Sequence, residues 1–94
     1  MNKYEALYII EASLDDDAIK AMVERINGIV TDNGGSVDSV NEWGKRRLAY
    51  PILDRNEGYY VLMTFTAAPE FPAELERNYH IIDSILRGLI TRIE

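Results

Sequence analysis

Cysteine is absent from the 94 residues, and histidine occurs once. The lack of cysteine excludes disulfides, thiolate metal sites and a cysteine nucleophile. Long apolar runs are also missing, because the longest, residues 6–10 and 59–63, are far shorter than a membrane span. Residues 1–5 lack the apolar region of a signal peptide. We therefore expect a soluble protein that is not exported and has no membrane partner.

Basic residues are the minority charge, since 16 acidic residues oppose 10 basic ones and the net charge is −6. That overall field repels phosphate. The charges are unevenly spread, however, because Lys45, Arg46 and Arg47 are adjacent in the sequence. Three neighbouring cations on one strand cannot all face a core, and phosphate is the natural external group to neutralise them. A solvated strand end with ordinary basic side chains explains the same run.

The first half of the chain has the pattern of a strand followed by a helix. Aromatic and branched residues predict a strand over residues 3–10. Ser13 or Asp15 can cap a helix, and Asn33 with Gly34 can end it. Apolar residues between them recur with the spacing of one helix face. They are Ile19, Met22, Val23, Ile26, Ile29 and Val30.

The second half predicts a long hairpin, a helix and a last strand. Residues 36–50 form a strand with a bulge at Gly44, Pro51 ends its pairing, and residues 53–58 form a loop before a strand over residues 59–67. Pro69 and Pro72 open a second helix. Its apolar stripe is Phe71, Leu75, Tyr79 and Ile82. Residues 85–93 form the final strand.

The resulting order, β-α-β-β-α-β, predicts an α+β, ferredoxin-like fold with a four-stranded antiparallel sheet and two helices on one face. The length predicts a single domain over residues 1–94. The uncovered face should be polar if the protein acts alone. Alternation nevertheless places Tyr60 and Leu62 there. In the first strand either register leaves apolar side chains on that face, and they are Leu7 and Ile9 if residues 4, 6, 8 and 10 point at the helices. An apolar patch with a polar rim indicates a partner surface, although scattered exposed apolar residues are also normal.

Residues suited to catalysis are scarce. His80 is isolated near the end of the second helix, which is typical of a solvated residue. The carboxylates of residues 15–17 suit a helix N-terminus better than a cation site. The loop after the first strand is acidic and lacks the glycines of a phosphate cradle, which argues against an acyl-phosphate hydrolase. We expect no enzyme activity, catalytic residue, metal, cofactor or small-molecule substrate.

One segment shows a family resemblance. Gly44 is followed by Arg-Arg-Leu-Ala-Tyr-Pro-Ile at residues 46–52, and then by Gly58 and Tyr59. Further matching positions are Tyr4, Glu5, Leu14, Asp15 and Arg87. Across essentially its whole length the chain resembles the bacterial small-subunit ribosomal protein six family, whose fold is the ferredoxin-like plan.

The resemblance implies a structural constituent of the small ribosomal subunit, located in the cytoplasm and acting in translation without catalysis. It implies an RNA-binding protein that contacts the central domain of the small-subunit ribosomal RNA. It further implies a heterodimer with the basic ribosomal protein eighteen. An acidic chain with an apolar patch suits that partner, since opposite charges attract and the patch supplies non-polar contact area.

The resemblance also implies which residues touch RNA. Lys3, Arg87 and Arg92 match basic positions and are expected to form one phosphate-facing set. The family's basic N-terminal tip corresponds to Asn2 and Lys3, and Asn2 departs from it because a cation is common there. The expected RNA-binding residues are Asn2, Lys3, Tyr4, Arg87 and Arg92.

The second strand and its hairpin neighbour supply the expected protein-partner residues. They are Arg46, Arg47, Tyr50, Tyr60 and Leu62. Arg46 and Arg47 could equally reach RNA. The competing interpretation of the whole chain is a homo-oligomeric ferredoxin-like module that binds a metabolite or a protein and pairs through its uncovered sheet face.

Overall fold

The computed structural model describes residues 1–52 and 55–93, without the side chains of residues 48–52 and 55–56. Its elements are β1 (Asn2–Glu11), α1 (Asp16–Asp32), β2 (Ser36–Ile52), β3 (Arg55–Ala67), α2 (Phe71–Ile81) and β4 (Ile85–Arg92). The strands form one sheet in the order β2-β3-β1-β4, and every neighbouring pair is antiparallel. The predicted ferredoxin-like fold is confirmed.

Local chemistry explains where the helices begin and end. The side chain of Asp15 accepts a hydrogen bond of 2.8 Å from the backbone N–H of Ala18 at the start of α1. Asp16 and Asp17 lie in the first turn, where carboxylates favour the positive helix end. Gly34, with φ of 82°, then turns the chain away in a conformation that favours glycine. Neither helix is long and apolar enough to cross a membrane.

Both helices pack on the same face of the sheet. The inward residues of β1 and β3 alternate strictly along each strand, as predicted for β3, and the structure decides the register that the sequence left open for β1. They are Tyr4, Ala6, Tyr8 and Ile10 from β1, and Val61, Met63, Phe65 and Ala67 from β3. The helices add Ile19, Val23, Ile26, Val30, Phe71, Leu75 and Tyr79. These side chains belong to one continuous core, so the sheet has a covered face and an open face.

The β2–β3 hairpin is longer than the sequence predicted. The bulge at Gly44 is confirmed by a register shift between Glu42 and Gly44 and by a φ of 85°. Pairing does not end at Pro51, however, because Ile52 still pairs with Arg55. Since β2 is an edge strand, a residue without an N–H is tolerated there. Of the predicted loop, residues 55–58 belong to β3, and Leu53 and Asp54 lie outside the described residues.

Candidate functional site

The middle of the open face is apolar. On β1, Leu7 is paired in register with Leu62 of β3 on one side and with Leu89 of β4 on the other. These three leucines therefore form a row across three strands, which we call the apolar row. Leu89 is 57% exposed, and the other two are half-buried. Neither helix covers them, because both pack on the opposite face.

A second row crosses the sheet two residues further along β1. Ile9 lies between Tyr60 of β3 and Arg87 of β4. Although it faces away from the helices, Ile9 is only 7% exposed, which fits a short side chain between two long neighbours. Arg87 thus lies on the same side of the sheet as Tyr60, about 10 Å away across two strand spacings.

The opposite end of the open face is polar. Glu5 is flanked in register by Thr64 and Thr91. Beyond it, the Thr66 hydroxyl donates a hydrogen bond of 2.8 Å to Oδ2 of Asp38. The open face therefore changes along the strands from polar, through apolar, to a row that ends in Arg87.

Trp43 extends the Tyr60 row onto the edge strand. Its ring lies nearly parallel to that of Tyr60, with an interplanar angle of 8° and centroids 6.2 Å apart. Arg46 and Arg47 lie beside this pair, and the four residues line an open cavity of about 490 Å³. We call this cavity the aromatic groove. Trp43 is 40% exposed, so part of its ring is available to a ligand.

The two arginines of the aromatic groove are electrostatically uncompensated by close contacts. Neither guanidinium makes a hydrogen bond or ion pair with any residue that the structure describes. The nearest acidic residue in the strand register is Glu57, which pairs with Arg47. Glu42 is engaged elsewhere, since its Oε1 accepts a hydrogen bond of 3.0 Å from the Tyr59 hydroxyl. Desolvation and this hydrogen bond raise the pKa of Tyr59.

A separate cluster surrounds the start of β1. Nη2 of Arg92 donates a hydrogen bond of 3.3 Å to Oδ1 of Asn2, whose amide Nδ2 donates one of 3.2 Å to the Tyr4 hydroxyl. Tyr4 is a core residue, 5% exposed, with its ring stacked 5.4 Å from that of Phe65. The Tyr4 ring therefore faces the core while its hydroxyl contacts Asn2, and its expected role beside RNA stays a prediction. Lys3 precedes Tyr4 on β1 and therefore points to the open face of the sheet.

The residues expected to face phosphate together are spread over two places. Arg92 is paired with Tyr4, whereas Arg87 is paired with Ile9, about 17 Å away along β1. The separation follows from antiparallel pairing, which brings the start of β4 to the end of β1. Arg92 contacts Asn2 beside the start of β1, while Arg87 lies in the row formed with Ile9 and Tyr60 near the end of β1. The binding roles themselves remain predictions.

The expected protein-partner residues are placed more compactly. Tyr60, Arg46 and Arg47 line the aromatic groove, and Leu62 follows Tyr60 on the same face of β3. The Tyr50 side chain lies outside the described residues. Sequence reasoning missed Trp43 as a site residue. The available signal was its position beside Gly44, because a bulge changes which face the neighbouring side chains reach.

The covered side of the molecule offers little for catalysis. His80 is an exposed side chain whose nearest charge is Glu76, with Nε2 and Oε1 3.9 Å apart. Within residues 1–52 and 55–93, no group of three histidine or acidic side chains is placed to hold a metal ion. Burial raises the pKa of Tyr8 and of Tyr79 well above the ordinary value of 10.0, so both phenols stay protonated at neutral pH.

Comparison with known proteins gives one consistent family. The family model described as Ribosomal protein S6 matches residues 3–92. Over all 94 residues the chain is 48% identical to small ribosomal subunit protein bS6 of Clostridium perfringens and 52% identical to that of Exiguobacterium sibiricum, covering 99% of each. The crystal structure of 30S ribosomal protein S6 from Thermotoga maritima is similar with a TM-score of 0.92 and 30% identity. That alignment covers 97% of this chain and 86% of the other.

Proposed function

Since the chain belongs to the ribosomal protein S6 family, we propose that it binds the central domain of the small-subunit ribosomal RNA as a heterodimer with the basic ribosomal protein eighteen. Family membership makes it a structural protein of the small ribosomal subunit in the bacterial cytoplasm, and not an enzyme. The heterodimer and the RNA contacts are the proposal, as is the action of residues 1–94 as a single domain.

The apolar row carries the proposal for a protein partner. Leu7, Leu62 and Leu89 lie side by side on a sheet face that neither helix covers. An antiparallel sheet can expose one face to water, but that face is then usually polar. A contiguous apolar strip with polar and charged ends is typical of a protein interface. A net charge of −6 would draw a basic partner towards it.

Cations at both ends of the sheet support RNA contacts. Lys3 lies at the start of β1, and Arg92 of β4, which is bonded to Asn2, lies beside it. Arg87 of β4 lies beside the other end of β1. These cations would contact phosphates at separate points of the RNA, which fixes orientation and carries little sequence information. Tyr60 and Leu62 are assigned to the partner. Arg46 and Arg47 stand beside Tyr60, where either the partner or the RNA could reach them.

The proposed mechanism is assembly. A protein pair formed through the apolar row presents one continuous surface to the folded RNA. Each binding event then lowers the ordering cost of the next, so the affinities for the partner and for the RNA are coupled.

The β3 leucine of the apolar row tests the heterodimer. Leu62→Asp places a charge in the apolar row, and we expect it to weaken binding to ribosomal protein eighteen at least 30-fold, or by about 2 kcal/mol. Co-purification and isothermal calorimetry measure this. Thr64→Asp, two residues along on the same face but in the polar row, is the matched control and should retain binding.

Two results would count against this interface. If Leu62→Asp binds the partner as well as the unchanged chain does, the apolar row is not the contact. If circular dichroism shows that the variant is unfolded, Leu62 belongs to the core. Size-exclusion chromatography of the chain alone shows whether it is a monomer or a dimer, and so tests the alternative that two copies pair through the same row.

Arg87 tests the RNA contacts independently. Arg87→Ala should weaken RNA binding by the heterodimer and lower the slope of log affinity against log salt by about 0.7–0.9, the effect of one phosphate contact. The partner should stay bound. Arg25→Ala, which removes an exposed cation from α1 on the covered side, should leave both affinities unchanged. Loss of the partner from Arg87→Ala would show that the assignment of this residue is wrong.

A further inference from the structure

We propose that the aromatic groove, formed by Trp43, Tyr60, Arg46 and Arg47, binds one unpaired RNA nucleotide. The base would stack on Trp43, and the phosphate would meet the Arg46 guanidinium, which shares the face of Tyr60, with the charge of Arg47 beside it. The inference rests on the proposed binding of RNA and adds to it a specific site. It also assigns Tyr60, Arg46 and Arg47 to the RNA and not to the protein partner, and leaves Leu62 with the partner.

The aromatic pair has the arrangement of a stacking platform. Tyr60 is half-buried on β3, and Trp43 lies almost parallel to it on the edge strand, with centroids 6.2 Å apart. Trp43 thus contacts Tyr60 while 40% of its surface stays exposed. A flat, fixed, partly exposed indole is the surface on which unpaired bases stack in single-strand binding proteins, whatever their sequence.

The charge in the groove selects an anion. Arg46 and Arg47 have no hydrogen-bond or ion-pair partner among the described residues, although the chain as a whole carries 16 acidic side chains. A guanidinium presents paired donors that match phosphate oxygens. A basic protein partner would be repelled at this point, whereas the apolar row beside it has no such conflict. Glu57, opposite Arg47, offsets only part of the positive charge.

The shape of the edge strand makes the groove accessible. Gly44 has a φ of 85° and creates the bulge beside Trp43. Because β2 is the outer strand, the groove opens at the border of the sheet, and its volume of about 490 Å³ lies within the range of ligand sites. The row continues past Tyr60 and Ile9 to Arg87, so a strand leaving the groove in that direction would pass a third cation.

Fluorescence gives a direct test, because Trp43 is the only tryptophan in this chain. The probe is a six-nucleotide oligoadenylate RNA, titrated at low salt into the full chain. We expect saturable quenching of Trp43, as stacking of a base on the indole requires. A hexaglutamate peptide of similar charge should produce no quenching. Equal quenching by the peptide, or none by the RNA, would overturn the nucleotide site.

Variants extend the test to the small-subunit ribosomal RNA. With the heterodimer and a fluorescein-labelled central-domain RNA, Trp43→Ala should weaken RNA binding about tenfold, as loss of one stacked base does. Trp43→Phe should restore most of the affinity, because a phenyl ring still stacks. Arg46→Gln should also weaken binding and reduce its salt dependence, whereas Arg25→Gln, with the same change in net charge, should not.

The possible failures are distinguishable. If Trp43→Ala lowers affinity for ribosomal protein eighteen and leaves RNA affinity unchanged, the groove belongs to the protein partner and the inference is wrong. If the heterodimer binds RNA equally well with and without Trp43 and Arg46, the proposed function survives and the nucleotide site does not. If the unchanged heterodimer does not bind RNA, the proposed function itself fails.

Discussion

The two faces of the sheet are made from the same strands, yet their side chains serve different purposes. Along β3, Val61, Met63, Phe65 and Ala67 on the covered face are each 0% exposed. The residues between them on the open face, from Tyr60 to Thr66, are only half-buried. One strand therefore alternates between a packed core and a surface that still has room for a partner.

The comparison shows how folding and binding can be separated in a small protein. The covered face is apolar throughout and is sealed by two helices, so its residues determine stability. The open face combines an apolar row, an aromatic groove and a few charged side chains, and neither helix covers any of them. Substitutions on the two faces should consequently affect different measurements, and the following changes test that separation.

The largest difference should come from truncating one side chain on each face. Phe65 packs between Tyr4 and Phe71, with ring centroids 5.4 and 5.8 Å away. Phe65→Ala should lower the free energy of unfolding by about 3–5 kcal/mol. Leu89→Ala, at an exposed position of the apolar row, should change it by about 0.5 kcal/mol or less. Urea denaturation measures both, and similar losses would mean that the open face is also packed.

A smaller effect is expected from a glycine on the covered face. A Cβ on Gly88 would overlap Cδ2 of Tyr79, which belongs to a buried ring that cannot easily move. Gly88→Ala should therefore destabilise the protein by about 1–3 kcal/mol. Gly28→Ala in α1 is the matched control, because nothing lies within 4 Å of its added Cβ and alanine favours a helix. Thermal denaturation should show opposite shifts for the two variants.

The smallest effect concerns the buried phenols beneath the sheet. The Tyr79 hydroxyl has no hydrogen-bond partner among the described residues, and burial, followed by the nearby Tyr8, raises its pKa above 10.0. As the pH rises, the Tyr79 phenol therefore loses its proton at a higher pH in the folded state than in the unfolded state. This contribution to stability is complete below pH 10 and is lost as the pH rises above it.

Tyr79→Phe should thus have its clearest effect in alkali. Between pH 10 and pH 11 the unchanged chain should lose about 1 kcal/mol more stability than Tyr79→Phe, the linkage expected of one phenol that begins to ionise in the unfolded state near pH 10. At pH 7 the two should differ by about 1 kcal/mol or less, since no hydrogen bond is removed. Parallel urea titrations at the three pH values give this comparison. Equal losses in alkali would mean that the Tyr79 phenol ionises within the fold.

Sequence periodicity was sufficient to predict the fold and the identity of each face. Thr64 and Thr66 marked the open side of β3, and alternation then placed Tyr60 and Leu62 beside them, as the structure confirms. The end of the β2–β3 hairpin was harder to predict from the sequence. Pro51 was expected to end pairing, but on an edge strand its missing N–H costs no ladder bond, and pairing resumes at Ile52.

The arrangement of the candidate site depended on register, which periodicity does not determine. Grouping Arg87 with Arg92 required only that both lie on β4, whereas their actual neighbours, Ile9 and Tyr4, follow from how that strand is aligned with β1. The aromatic groove depended on the bulge at Gly44. A bulge shifts the alternation of the strand, so the sequence alone did not show that Trp43 would stack on Tyr60.

The position of β1 has a consequence for biosynthesis. This strand is the first to be translated, yet it lies between β3 and β4, the last two strands to emerge. The N–H of Ile93 still donates a bond of 2.9 Å to the carbonyl of Lys3. A nascent chain therefore cannot complete its sheet until the residues around Ile93 have left the exit tunnel. The strands therefore cannot be added to the sheet in the order of translation, because β1 gains both of its neighbours only after β3 and β4 have emerged.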